Sequence, residues 1–158
     1  MTTTKIYIRP VLAEYLIGKY YDDELGAVHL PKNDDLAEVV RNLTTKRPVN
    51  APVDRGNVEL VLPESSMGKR PTTWNYLSSR AIKVIERKVE TRMWAEVHDW
   101  LDEQKHRYGI EYIVSIEAWM GRYNIRSISE DAIVKNYYRW RHKIKRVEKK
   151  RGYKKSDI

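Results

Sequence analysis

The chain has no cysteine, no phenylalanine and no long apolar run. Without thiols it can form neither disulfides nor thiolate metal centres, and a reducing compartment is the default for such a chain. Without Phe, the aromatic content of the core falls to eleven Tyr and five Trp. Those rings carry polar handles that suit half-buried places beside a ligand or partner. A bilayer-spanning helix takes about 20 consecutive apolar residues, and no stretch approaches that. Met1 to Lys5 lack the apolar core of a signal peptide. The expectation is a soluble, cytoplasmic chain with no membrane partner. Glycine-rich phosphate loops are also missing: Met67-Gly68-Lys69-Arg70 lacks the first glycine and the Ser/Thr of a P-loop.

Catalytic constellations are scarce too. His29, His98, His106 and His142 are scattered, and no His/Asp/Glu cluster has ligand spacing on one face. His98 and Asp99 are adjacent, so on a helix they point about 100° apart and cannot share a metal. Asp22-Asp23 and Asp34-Asp35 fall at a turn and a helix start, where acids are routine. A metal-dependent nuclease would need acids converging from separate elements, which spacing alone does not reveal. The chain reads as a non-enzyme with no cofactor and no metal.

What the sequence does have is positive charge, concentrated in one place. From Lys135 to Lys155 there are eleven Lys and Arg against one acid, Glu148, a net of +10. The whole chain is +8 and Asp157 contributes −1, so residues 1–134 sum to −1. The same stretch is periodic. Ile133, Tyr137, Trp140, Ile144 and Val147 recur at spacings of 4, 3, 4 and 3, the apolar seam of a helix docked on a core. The opposite side carries Lys135, Tyr138, Arg139, His142, Arg146 and Lys149. Charged surface helices usually mix both signs. A helix with one face on a core and the other lined by cations suits phosphates or a DNA groove; the alternatives are a merely solvated face, an acidic protein or a membrane surface. Trp94, Trp100, Trp119 and Trp140 read as core aromatics rather than base-stacking platforms.

Earlier in the chain, Lys5 to Arg9 predicts a strand, and Pro10 opens a helix with a stripe of Leu12, Tyr15, Leu16 and Tyr20. Gly26 breaks that helix, and Ala27 to Leu30 predicts a second strand. Asn33 or Asp34 caps a helix with Leu36, Val39, Val40 and Leu43 on one face. Asn57 to Leu62 alternates as a third strand. The order β-α-β-α-β over residues 1–63 predicts a small α/β domain, a three-stranded sheet with helices on one side. Residues 64–73, with Ser65, Ser66, Gly68 and Pro71, read as a linker. Lys69, Arg70 and Arg80 make a second, smaller basic spot beside it. From Trp74 to about His106 the pattern is helical, either one long helix or two bent near 90–92, ended by Gly109. A shorter helix follows with Tyr112 or Ile113, Ile116, Trp119, Met120 and Tyr123 on one side. The last helix is capped by Ser127, with Glu130 three residues on, or by Ser129. The predicted class is α+β, helix-dominated, with an all-α C-terminal half over 74–158.

Residues 93–150 resemble a tri-helical helix-turn-helix module of the homeodomain-like or Myb-like kind, over about the last third of the chain. Val134-Lys135 followed by Tyr137-Tyr138-Arg139-Trp140-Arg141-His142-Lys143 is similar in texture to the recognition helix of such domains. It departs where a homeodomain has its adenine-reading asparagine, a position that is Trp140 here. The resemblance therefore implies a fold and a docking mode in the major groove, but no base preference.

The expected function is DNA binding, with RNA as the related alternative, in a regulator of the sort carried by phages and mobile elements. Ser129 to Lys149 are expected in or along the major groove, with Lys135, Tyr138, Arg139, His142 and Arg146 facing DNA. Arg141, Lys143, Lys145, Lys150, Arg151, Lys154 and Lys155 are expected on phosphates. The competing class is an adaptor of a nucleoprotein assembly whose basic helix makes sequence-blind contact with nucleic acid or an acidic partner. Open strand edges in the N-terminal half would suit homo-oligomerisation.

Overall fold

The computed structural model describes residues 1–64 and 68–156, with no side-chain description for 152–156. It is helix-dominated α+β. The elements are β1 (Thr3–Ile6), α1 (Pro10–Tyr20), β2 (Tyr21–Asp22), β3 (Ala27–Val28), α2 (Asp35–Leu43), β4 (Thr45–Lys46), β5 (Val58–Val61), β6 (Trp74–Tyr76), α3 (Ser79–Tyr108), α4 (Tyr112–Tyr123) and α5 (Glu130–Ser156).

The N-terminal sheet has four strands in the order β1-β5-β3-β2, not three. β1 and β5 pair antiparallel, β3 and β5 parallel, and β2 and β3 antiparallel. The extra strand arises because the chain leaving α1 stays extended at Tyr21–Asp22 and turns back at once. The Asp22 carboxylate accepts from the Glu24 and Leu25 amides at 3.0 and 3.2 Å, and Gly26 takes φ +66° to close the turn. β1 lies earlier than expected, at Thr3 rather than Lys5. Pairing with β5 ends at Ile6–Val58; beyond it Asn57 imitates a strand partner, its Oδ1 accepting from Ile8 N (3.1 Å) and its Nδ2 donating to Ile8 O (2.7 Å).

The second half also contains a strand that the helical reading of 74–106 missed. Trp74–Tyr76 pairs antiparallel with Thr45–Lys46 in a separate two-stranded sheet. Lysines frame it: Lys46 and Lys69 each place Nζ over the Trp74 ring, at 5.6 and 5.1 Å, and Lys69 also donates to Asn42 O and Thr44 O, both at 2.9 Å. One of the cations of the smaller basic spot is thereby spent on structure. Of the expected linker, residues 65–67 lie outside the described residues.

Ser78 caps α3, its Oγ accepting from Ala81 N at 3.2 Å, and the helix then runs unbroken for 30 residues. That is about 45 Å at 1.5 Å per residue. Gly109 ends it in the left-handed conformation (φ +67°), where a side chain would be strained. Its inner stripe of Ala81, Ile85, Val89, Met93, Val97 and Leu101 is buried along the whole length. α1 packs between the sheet and the pair α3/α4, and α2 lies against α3. One continuous hydrophobic core extends from Ile6, Leu60 and Val28 through Tyr15, Leu16 and Ile85 to Ile116, Ile133 and Tyr137.

Two features lock α1 and α2 onto the long helix. Arg92 donates to both carboxylate oxygens of Asp34, the α2 cap, at 2.9 and 2.5 Å, and to Tyr20 Oη at 3.1 Å. Burial penalises the Asp34 charge, but the guanidinium and the Leu36 amide outweigh it and hold the carboxyl below its ordinary range. At Gly18 the α1 backbone lies against α4 so closely that a Cβ would sit 2.4 Å from Tyr123 O.

Candidate nucleic-acid interface

The candidate interface is built on α5. Asn124 takes a left-handed turn (φ 53°) after α4, Ile125 tucks into the core, and Ser129 caps the new helix by accepting from Ala132 N at 3.1 Å. Of the two caps open in the sequence, Ser129 is the one used. Glu130 and Asp131 in the first turn complement the positive end of the helix dipole.

Side chains from α3 and α4 fix the first half of α5. Ile133 and Tyr137 are fully buried. The Tyr137 hydroxyl donates to the Asp102 carboxylate, which also accepts from Arg141 at 3.1 Å. Burial, reinforced by that carboxylate, pushes the Tyr137 phenol well up. Asn136 Oδ1 lies 2.7 Å from Nε2 of the buried His98, whose ring stacks on Trp140 at 4.5 Å between centroids. Burial pushes the His98 imidazole below its ordinary value, against the opposing pull of Asn136, Asp102 and Asp99. Trp140 is half-buried and packed against the core, as are Trp94 and Trp100, while Trp119 is 2 % exposed.

From His142 to Arg151 every residue is exposed, on every side of the helix. This corrects the expected seam. Ile144 and Val147 continue its spacing, yet they are 36 % and 49 % exposed. The physical reason is that α3 and α4 end before they can cover the last turns, so the helix outruns its support. α5 itself continues to Ser156.

The cations fall into two groups. Lys135 pairs with Asp131 one turn back at 2.9 Å, and Arg141 turns inward to Asp102, so neither is a bare charge. Arg139, Lys143, Lys145, Arg146, Lys149, Lys150 and Arg151 are exposed and form no ion pair among the described residues. His142 is exposed beside them, and Tyr138 (53 % exposed) stands edge-on to Tyr112 at 5.8 Å. The side chains of Lys154 and Lys155 lie outside the described residues. Asp102, His98 and Asn136, which set the pose of α5, carried no signal in the sequence, because an acid or an amide in a charged helix looks like any solvated one.

Among the described residues no group of three His, Asp or Glu side chains is placed to hold a metal ion, and no helix is long and apolar enough to cross a membrane. No protein-family model, curated protein or solved structure matches the chain.

Proposed function

We propose that the chain binds duplex nucleic acid through α5, with DNA as the primary target and no catalytic role. The observation that supports this reading most is the projecting half of α5. Among the described residues, six cations without an ion pair (Lys143, Lys145, Arg146, Lys149, Lys150 and Arg151) are presented around it, with Arg139 one turn before, and its base is clamped by Tyr137, Asn136 and Arg141. A bare helix about 10–12 Å across with its side chains matches the width of the B-DNA major groove, about 12 Å. Releasing counterions from phosphates supplies the affinity. The tri-helical resemblance adds the docking mode, in which Arg139, His142, Arg146 and Lys149 point to the groove floor while Lys143, Lys145, Lys150 and Arg151 lie near the backbones.

With 6–8 phosphate contacts, the log–log salt dependence of binding has a slope of about −5 to −7. Gel shifts on random and selected duplexes with Arg139→Glu and Arg146→Glu test the face. Each charge reversal should weaken binding at least tenfold, and unchanged affinity in both would remove the proposal. A duplex selection that enriches one motif would define a regulator, of the kind carried by phages and mobile elements.

Exposed Ile144 and Val147 favour a second reading, an adaptor in a nucleoprotein assembly. They extend the line of buried Ile133 and Tyr137 and half-buried Trp140, so an acidic partner with an apolar groove would cover both. Light scattering separates the two. A fixed oligomer with no duplex binding at moderate salt supports the adaptor, and a monomer or dimer that shifts DNA supports the first reading.

A further inference from the structure

The parallel strands β3 and β5, joined through α2, end at a common cleft. Its floor is apolar, formed by Leu30, Ala37, Val61 and Leu62, all buried. Its volume is about 790 Å³, within the range of about 300–1,000 Å³ typical of small-molecule sites. In sheets with parallel strands, the crevice beyond the carboxyl ends is where ligands collect. The walls bear positive charge. Lys32 stands at the rim, and Arg41 reaches in from α2.

Five side chains carry a buried polar atom with no partner among the described residues, and Arg41 is the one of them that lines this cleft. It is half-buried, and among the described residues it forms no ion pair and its Nε, shut off from solvent, finds no acceptor. A buried guanidinium N–H without a partner is rare, and the outer Nη groups, which form no hydrogen bond among the described residues, are left to meet a ligand in the cleft. The arginine on the far side of α2's cap, Arg92, shows what a satisfied one looks like here, with Asp34 bound at two points. The one acid lining the cleft among the described residues, Glu64, is exposed and not paired with Arg41.

We propose that this cleft binds a small organic anion, a carboxylate or phosphate carried on an apolar body, anchored by Arg41 with Lys32 at the rim. Arg41 offers a planar fork of donors that matches either head group. The floor of Leu30, Val61 and Leu62 takes the apolar part. Such a site does not involve α5 and stands whether or not the chain binds DNA.

The test uses the full chain at low salt, with octanoate, adenosine monophosphate and inorganic phosphate as probes. Binding is followed by calorimetry and by the NMR resonances of the arginine Nε–H groups. One organic probe should bind with sub-millimolar affinity and move the Arg41 resonance. Arg41→Gln should weaken it at least tenfold, as expected for losing a hydrogen bond to a charge, and Lys32→Gln by a smaller factor. Octanoate alone would mark a carboxylate ligand, and the nucleotide alone a phosphorylated one. Inorganic phosphate binding as tightly as either organic probe would overturn the role of the floor. No binding at 10 mM, affinity unchanged in Arg41→Gln, or shifts confined to residues 139–151 would overturn the site. Should Arg41→Gln not fold, the wild-type Arg41 resonance and Lys32→Gln carry the decision.

Discussion

At the scale of single residues, two positions show packing overriding local preference. Gly18 lies inside α1, where alanine is ordinarily about 0.8–1.0 kcal/mol better than glycine. The added Cβ would meet Tyr123 O at 2.4 Å and Tyr123 Cα at 2.7 Å, both backbone-anchored atoms that cannot swing aside. Gly18→Ala should therefore destabilise the protein by about 2 kcal/mol or more through forced separation of α1 and α4. A urea midpoint equal to or above wild type would show that the two helices are not in contact there. His98 gives the second case. Its folded pKa is depressed, chiefly by burial, so the unfolded chain takes up the proton first. Its contribution to stability is complete above the unfolded value of about 6.5 and is lost as pH falls below it. Relative to His98→Gln, wild type should lose stability between pH 7.5 and 5.5, by urea melts at each pH. A constant difference would mean that the imidazole titrates as it does in water.

At the scale of elements, α5 is two helices in one. Residues 133–141 are anchored by the core, by Asp102 and by His98, whereas 142–151 touch nothing that would hold them helical. Isolated helices this short are marginal in water, and like charges one turn apart, such as Lys145 and Lys149, repel. Amides beyond His142 should exchange with solvent orders of magnitude faster than those of Tyr137 to Trp140, and slow on DNA. Removing residues 143–158 should leave the unfolding midpoint within about 0.5 kcal/mol of wild type while abolishing duplex binding. A large loss of stability would show that the tail packs on the body. The same element shows how far the sequence could be read. Its caps, its net charge and the buried positions Ile133 and Tyr137 are local features, and periodicity exposes them. Where the seam stops is not local. It depends on the ends of α3 and α4, and nothing in Ile144 or Val147 announces that no neighbour reaches them. The strands show a similar limit. Val58–Val61 buries its apolar residues and was legible, but Tyr21–Asp22 and Trp74–Tyr76 are extended only because β3 and β4 lie beside them. Arg41 was missed for a third reason: an arginine in the last turn of a helix looks like ordinary dipole complementation.

At the scale of the whole molecule, the question is whether the two halves suggested by composition are thermodynamically separate. The chain from 1 to 134 is nearly neutral and the rest strongly basic, but charge partition is not core partition. Apolar side chains of the sheet, α1, α3, α4 and α5 form a single buried cluster, and the ties across it are polar as well. Arg9 bonds to Glu86 and Glu90, Lys19 to Glu96 at 2.7 Å, Arg92 to Asp34, and the Ser127 amide to Glu14 at 2.9 Å. Separate unfolding of residues 1–63 would strip the inner face of α3 from Ala81 to Val97. At about 25 cal/mol per Å² of apolar surface, that exposure is too costly for a half-folded state to be populated. Four of the five Trp lie on α3, α4 and α5 and the fifth, Trp74, on β6, so fluorescence reports chiefly the helices, whereas the methyl resonances of Val28 and Leu60 report the four-stranded sheet. In urea the two probes should give one midpoint and one slope, as a single cooperative unit requires. Midpoints separated by more than about 0.5 M, roughly 1 kcal/mol at ordinary slopes, would show instead two units that fold independently, with the basic helix belonging to only one of them.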